Sequence, residues 1–479
     1  MVPAFERWTA ASRPAAALEA GALAAAALLG VLCGGAVAVA GLNALYLCAG
    51  LIACAFILLD FRIGVVLLIL LMPISTSYLF PHEMFGIKGL NPLNLLLVGT
   101  FGSYLIGAMS DGSLRRFLPR PLLWLYVLPI VIAGVLGSHH VGDIAPGFFI
   151  YDALDFQGTA GYVIDVVAKP MVLVVYALLI GAAVSKSDKP EGFLLPAWIS
   201  MWVMGAIVIV YIARSGIGLQ QLASSHEREF LSVLGLHADD LGRLYAVGYA
   251  LLLFTWAEAK APGARLGLLA SMGFVVFALM LTFSRGAFLA FTLVNVLFLL
   301  WRRNWHALLF FALLAAVALF ALPDAVYERV TMGFGSGLNA VSAGRIDGLW
   351  LPLLPELLRH PVFGNGLESI LWSEPMRRGP GVLIIPVTHP HNAYLEALLD
   401  MGIVGLALLG SYFAGIWKGF RALAADSSLS PTLRGFYLGA VAGLLGLLVA
   451  YLTDSSLRPR PDQTFLWFAV GMLYGRCRR

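Results

Sequence analysis

Charge is scarce in this sequence: Asp, Glu, Lys and Arg together make up only 12% of its 479 residues. Soluble globular chains carry about a quarter, so a water-facing surface over most of the chain is excluded. Cysteine is scarce too. Cys33, Cys48, Cys54 and Cys477 contain no C-x-x-C pair, which implies neither a disulfide nor a metal. The sequence also lacks G-x-G-x-x-G, Walker, H-E-x-x-H and D-x-D patterns. It therefore offers no cradle for a nucleotide, indicates no metal site and calls for no cofactor. Sugars activated on nucleotides are unsuitable donors, and nothing points to a nucleic-acid partner. No internal repeat or low-complexity tract is present.

What the chain has instead is apolar length. Hydrophobic residues make up 60% of it, in many runs of about 20 residues, and a run of about 18–25 crosses the hydrocarbon core as a helix. The expected fold is an all-α polytopic membrane protein with about 12–14 transmembrane helices. Spans are expected near 17–37, 41–59, 63–80, 92–110, 121–138, 162–184, 194–213, 240–258, 264–283, 286–302, 304–322, 394–416, 434–453 and 463–476. These divide the chain into an N-terminal bundle (1–322), a large outward loop (323–393) and C-terminal spans (394–479), together one membrane domain. The first run follows a short Arg-bearing segment, lacks a cleavage-like site and leads straight into a second run, so it is expected to remain a span.

Charge placement orients these spans. With a cytoplasmic N-terminus, most of the 31 Lys and Arg fall in short inner loops, as the positive-inside rule demands. Both termini are then inside. The topology does not require the others: Lys88, Lys169, Arg214, Arg228, Arg243, Arg285, Arg329, Arg345, Arg359, Arg377, Arg378, Arg458 and Arg460. A charge within the membrane costs about 2.5–3.5 kcal/mol on insertion scales and usually has a partner or a role. Lys169 lies mid-span beside Pro170, Arg285 in the tight outer turn TFSRGAF, and Arg214 and Arg243 at outer span ends. Convergence of these four on one anion is one expectation. Snorkelling, or pairing with Asp165, Asp240 or Glu396, is the plainer one.

The outward loop contains SAGRIDGLWLPLLPELLRHP, in which Pro352 and Pro355 are expected to break the chain into short helices on the membrane surface. After it comes HPHNAYLEALLDMGIVG, a histidine pair and an amide at the mouth of an apolar helix. Asn392, Glu396 and Asp400 recur every four residues and share one helix face. Glu396 is placed to orient His391, to neutralise an arginine, or simply to meet the helix dipole. His389 suits loop packing as well as catalysis, and Gly402 and Gly405 suit close helix packing. Arginine's planar fork binds phosphate oxygens, so clustered cations could stabilise a diphosphate leaving group without a metal. Histidine, which titrates near neutrality, suits the general base for an acceptor hydroxyl.

His391-Asn392, nine residues, then Gly402-x-x-Gly405 resembles the signature of the O-antigen ligase and polysaccharide polymerase superfamily. GLHADDLGRLYAVGYALLLF (235–254), SRGAF (284–288) and GRIDGLW…HPVFGNGLES (344–369) agree in order, as does the large outward loop. The resemblance covers about the second half of the chain. It departs at HADDLG, where an Asn would be expected in place of Asp239 or Asp240. It implies an inverting, metal-independent transfer of a glycan from undecaprenyl diphosphate to an acceptor at the periplasmic face of the bacterial inner membrane. It makes His391 the base and places Arg285 and Arg345 on the diphosphate. Arg243, Arg214 and Lys169 join them by position, with His389, Asn392, Tyr394 and Glu396 in support. The implied partners are the lipid-linked donor, a lipid A–core or glycan acceptor, membrane lipids and polysaccharide-assembly proteins. A ligase is favoured, because no arginine of the large outward loop is followed by ten residues and then glycine, a spacing that some polymerases carry in their outer loops. Fourteen spans point the other way, to a polymerase. A flippase or other transporter would instead predict two related halves and charges along a transmembrane path.

Overall fold

The computed structural model describes residues 15–75, 77–150, 153–154, 156–218, 221, 227–303, 306, 309, 324, 327, 331, 333–378, 387–453 and 456–477. Its regular structure is almost entirely helical. The strands among the described residues are Glu83–Met84 and Ile87–Lys88, paired antiparallel around Phe85 and Gly86, which both have positive φ. The chain forms two compact units. One comprises residues up to Gly64 with Phe80–Ser103; the other comprises Val65–Leu79 with Tyr104–Arg479.

Among the described residues, nine helices are long and apolar enough to cross a membrane, which makes this an all-α polytopic membrane protein. The expected spans at 17–37 and 41–59 lie in one helix, Ala15–Leu59, kinked where Gly41 takes φ 63°. The expected span 63–80 is shorter than its apolar run. Phe61–Leu71 gives way to a 3-10 turn, Met72–Ile74, where Pro73 removes a helix donor. Helices Ala238–Glu258 and Thr464–Cys477 form where spans are expected and are buried along most of their length, but neither is among those nine. The expected span 304–322, and Arg329, lie almost wholly outside the described residues.

In the first unit, small residues let the backbones approach. The Cys54 thiol reaches the Leu95 carbonyl at 3.6 Å, and Ser103 Oγ donates to Ile57 O at 2.7 Å. The second unit is built on the buried helix Ala238–Glu258, against which Pro431–Ala450 lays Gly435 and Gly439. A Cβ at either glycine would overlap the backbone of residues 250–255. A glycine every fourth residue is thus a close-packing seam.

The same unit holds an exchange of backbone hydrogen bonds that positions the site. Helix Ala393–Ala425 is interrupted at Gly402, with φ 63° and ψ −170°. The break frees the Leu399 and Asp400 carbonyls, which accept from Asn365 N (2.8 Å) and Gly366 N (3.0 Å). It also frees the Ile403 and Val404 N–H groups, which donate to Pro361 O (2.9 Å) and Val362 O (3.2 Å). Gly402 is therefore a helix break filled by residues 361–366, and not the close-packing position that the G-x-x-G spacing suggested. Only Gly fits there, because a Cβ would strike the Val362 carbonyl.

The preceding segment also departs from expectation. Pro352 and Pro355 do not break it: a π-turn, Ile346–Trp350, runs directly into the helix Leu351–Arg359 with Pro355 inside. Pro352 follows the π-turn directly, at the second residue of helix Leu351–Arg359. The ends of this segment are tied to different levels of one partner. Trp350 Nε1 donates to Pro390 O at 2.8 Å, whereas Pro361 and Val362 meet Ile403 and Val404. At 1.5 Å per residue the two levels lie roughly 16 Å apart. The segment therefore runs down the flank of that helix, where the sequence reading laid such helices flat.

Candidate active site

The helix mouth is built by its own side chains. Asn392 is the N-cap: its Oδ1 accepts from Tyr394 N and Leu395 N, both at 3.0 Å. Its amide closes orphan helix donors, a structural role. Just before it, His391 takes φ 52°, a left-handed conformation uncommon outside glycine. His391 N–H faces His389 Nδ1 at 3.4 Å, and the two rings meet edge-on with centroids 4.1 Å apart. His389 thus braces the turn that presents His391, and both residues are half-buried. Tyr394 points its hydroxyl at Leu448 O, 2.7 Å away, fastening the helix to its neighbour.

The turn after helix Pro431–Ala450 gathers the other groups. Tyr451 O accepts from Ala393 N at 3.0 Å, two residues from His391. Thr453 O accepts from Arg345 Nη1 at 2.7 Å. A Cβ on Gly286, next to Arg285, would lie 3.1 Å from Thr453 Oγ1. Arg285 itself donates to Val341 O at 3.4 Å, reaching the loop that carries Arg345. Ser284 caps the helix that Arg285 begins. The turn 451–453 therefore draws Arg285, Arg345 and the His391 mouth together. Both guanidiniums are half-buried, and the planar fork of a guanidinium suits phosphate oxygens.

The remaining basic residues proposed from sequence are placed differently. Arg243 is only 2% exposed, and its guanidinium lies against Asp462 Oδ2 (2.7 Å) and Asp240. Tyr451 adds its ring, 5.7 Å from the guanidinium, and donates to the same Asp462 oxygen at 3.2 Å. Burial pushes Asp462 above its ordinary range, although Arg243 pulls it back. Arg243 is thus committed behind the turn and does not join an open diphosphate site. Lys169 pairs with Asp165 one turn earlier on its own helix, the plainer of the two expectations. Arg214 is exposed in the last turn of helix Leu194–Ser215. The side chains of Lys88 and Arg228 lie outside the described residues.

Sequence reasoning missed the ion cluster beneath the mouth. Arg458 Nη2 bridges Glu368 and Glu396, the latter at 3.1 Å. Glu396 therefore neutralises an arginine. Asp400 accepts from Ser369 N (3.0 Å), Ser369 Oγ (2.8 Å) and Glu368 N (3.2 Å). Burial alone would lower the Arg458 pKa. Glu368, then Glu396 and Asp400, more than offset this and hold it above the ordinary arginine value. The available signals were the Asn392/Glu396/Asp400 stripe and an unexplained Arg458, but nothing in the sequence pairs residues so far apart.

Residues 269–410 match the family model described as O-Antigen ligase, a stretch that includes Arg285, Arg345, His391 and Gly402. The match supports the O-antigen ligase and polysaccharide polymerase superfamily for this chain. No curated protein matches it.

Proposed function

We propose that this membrane protein, of O-antigen ligase type, transfers a glycan from undecaprenyl diphosphate to a hydroxyl of lipid A–core at the periplasmic face of the inner membrane. The observation that carries the reading is the gathering of Arg285, Arg345 and the His391 mouth around one turn, 451–453. All three side chains fall within the stretch matched by the family model.

In this mechanism the acceptor oxygen attacks the anomeric carbon from the face opposite the diphosphate. A C–O bond forms to the acceptor as the bond to the diphosphate oxygen breaks, inverting the centre. His391 takes the acceptor proton. The departing diphosphate keeps the bonding pair, and Arg285 and Arg345 stabilise its growing charge. The leaving group needs no proton, and two guanidiniums supply the stabilising charge without requiring a metal.

The test uses purified protein in nanodiscs, the lipid-linked glycan donor, and either lipid A–core or a second lipid-linked repeat as acceptor. Transfer to lipid A–core that is unaffected by chelator and lost in His391→Ala supports the proposal. Growth on the lipid carrier would instead make the protein a polymerase. Absence of transfer to either acceptor would overturn the enzymatic reading.

A further inference from the structure

Cys33 and Cys48 stand on one apolar stretch, the helix Ala15–Leu59, fifteen residues apart in the chain. Along an unbroken helix that separation is about 22 Å. Their thiols are nevertheless in hydrogen-bonding contact with each other. The chain therefore folds back between them, and Gly41, with φ 63° and ψ −147°, is where it turns. Glycine takes such a conformation without the strain that a Cβ would bring.

Burial gives the same register independently. From 27 to 42 every residue is exposed except Cys33 and Val37, which stand one turn apart on one helix face. On the returning arm Ala44 is buried and Cys48 half-buried, again one turn apart. The pairs Cys33/Cys48 and Val37/Ala44 share a midpoint beside Gly41, as facing positions of an antiparallel helical hairpin must. Spacing in the sequence pairs no two of the four cysteines; the fold pairs these. The others are placed elsewhere. Cys54 gives its thiol to the Leu95 carbonyl at 3.6 Å, and Cys477 is exposed near the other end of the chain.

We propose that Cys33 and Cys48 are a redox-active pair that closes into a disulfide across the hairpin, with a lipid-soluble quinone as oxidant. Each thiol gives up its hydrogen, the S–S bond forms, and the two electrons and two protons reduce the quinone to its hydroquinone. The surroundings select that class of oxidant. Residues Ala27–Leu59 are apolar enough to lie in hydrocarbon, and the thiols sit seven and eight residues from Gly41, about 11 Å along the arms. Exchange with a soluble disulfide proceeds by thiolate attack, and a charged thiolate is costly in hydrocarbon. An uncharged quinone dissolves there, and the disulfide product is uncharged too. The bond fastens a hairpin whose other faces are open, by restricting the unfolded chain. The proposal does not depend on the glycan-transfer reading.

The test uses membranes holding the full-length protein, reduced under nitrogen and then exposed to a fully substituted benzoquinone, which has no free ring position for thiol addition. Free thiols are capped with N-ethylmaleimide, and peptides from the monomer band of a non-reducing gel are weighed. The expected result is a linked Cys33–Cys48 peptide, two hydrogens lighter than its parts, with one hydroquinone formed per linked chain and Cys54 capped. Cys48→Ser should abolish the link and leave Cys33 capped. Both thiols capped in quinone-treated wild type, or Cys33 linked to Cys54 or to a second copy, would overturn the proposal. A second measurement, on wild type alone, tests the geometry apart from the redox step. Dibromobimane, which becomes fluorescent on bridging two adjacent thiols, should join Cys33 to Cys48 in the reduced protein and not in the oxidised one. Failure to bridge them in the reduced protein would overturn the hairpin register, and the disulfide with it.

Discussion

Ile403 and Leu399 stand one helical turn apart and are not bonded to each other. The Ile403 N–H goes to Pro361 O at 2.9 Å, and the Leu399 carbonyl takes Asn365 N at 2.8 Å. The neighbouring pair, Val404 and Asp400, is exchanged in the same way with Val362 and Gly366. A helix that opened here without residues 361–366 would leave four backbone groups bare, at several kcal/mol each in hydrocarbon. Loop and helix therefore fold as one piece, and the His391 mouth is carried on it.

Gly402→Ala should be more damaging than Gly405→Ala, although both are damaging. The first forces a Cβ into the Val362 backbone at φ 63°, whereas the second brings a Cβ within 2.1 Å of Met401 Cβ but without the left-handed strain. A loss of at least about 2 kcal/mol is expected for Gly402→Ala. Thermal unfolding in detergent checks the order, and equal melting temperatures would contradict it.

Arg458→Ala strips the counter-charge from Glu368 and Glu396 and leaves buried carboxylates uncompensated. About 3–5 kcal/mol of stability should be lost. Glu396→Gln should cost much less, because it removes charge from the acidic surplus. If Glu396→Gln lowers the melting temperature as far as Arg458→Ala, the cluster does not work by charge balance.

Little of this cluster, or of the helix break, was legible in advance. Apolar run lengths placed the helices, and the polar residues at 391–392 announced a capped helix mouth. Run length did not show that Pro73 would end a helix early, because hydropathy carries no information about backbone donors. Nor did it show that Pro355 would be tolerated. A G-x-x-G pattern in an apolar run suits close packing as well as a left-handed break, and only the partner loop decides between them. Arg243 read as an available cation because its partner Asp462 lies 219 residues away in the chain.

The two classes of arginine should separate experimentally. Arg285→Ala and Arg345→Ala should fold normally and lose transfer by about 10²–10³-fold, the range for removing one preorganised donor to a developing charge. Arg243→Ala should instead yield little folded protein, since it abandons the buried Asp462. Size-exclusion profiles alongside transfer rates distinguish the two. A well-folded Arg243→Ala with the same catalytic loss would return Arg243 to the diphosphate site.

Acid should loosen the outer segment first. The hydrogen bond from Arg378, then its charge and the contacts with Arg359, hold Glu374 below the usual carboxylate range. The hydrogen bond from His140, then the charge of Arg377, does the same for Asp143. A depressed carboxylate stabilises the fold above its unfolded pKa, about 4, and this stabilisation disappears as pH falls through the lower folded value. Hydrogen exchange at residues 369–378, corrected for intrinsic rates, should show steady protection from neutrality to about pH 5 and a decline below pH 4. Protection that increases on acidification would contradict the pairing.

The most direct test of the central claim is the single-turnover rate of glycan transfer by His391→Ala, set against wild type with matched melting temperature. A positioned general base predicts a loss of about 10²–10⁴-fold, with donor binding unchanged because Arg285 and Arg345 remain. A variant that folds, binds donor and transfers within about twofold of wild type would show that His391 does not take the acceptor proton, and the mechanism would fail.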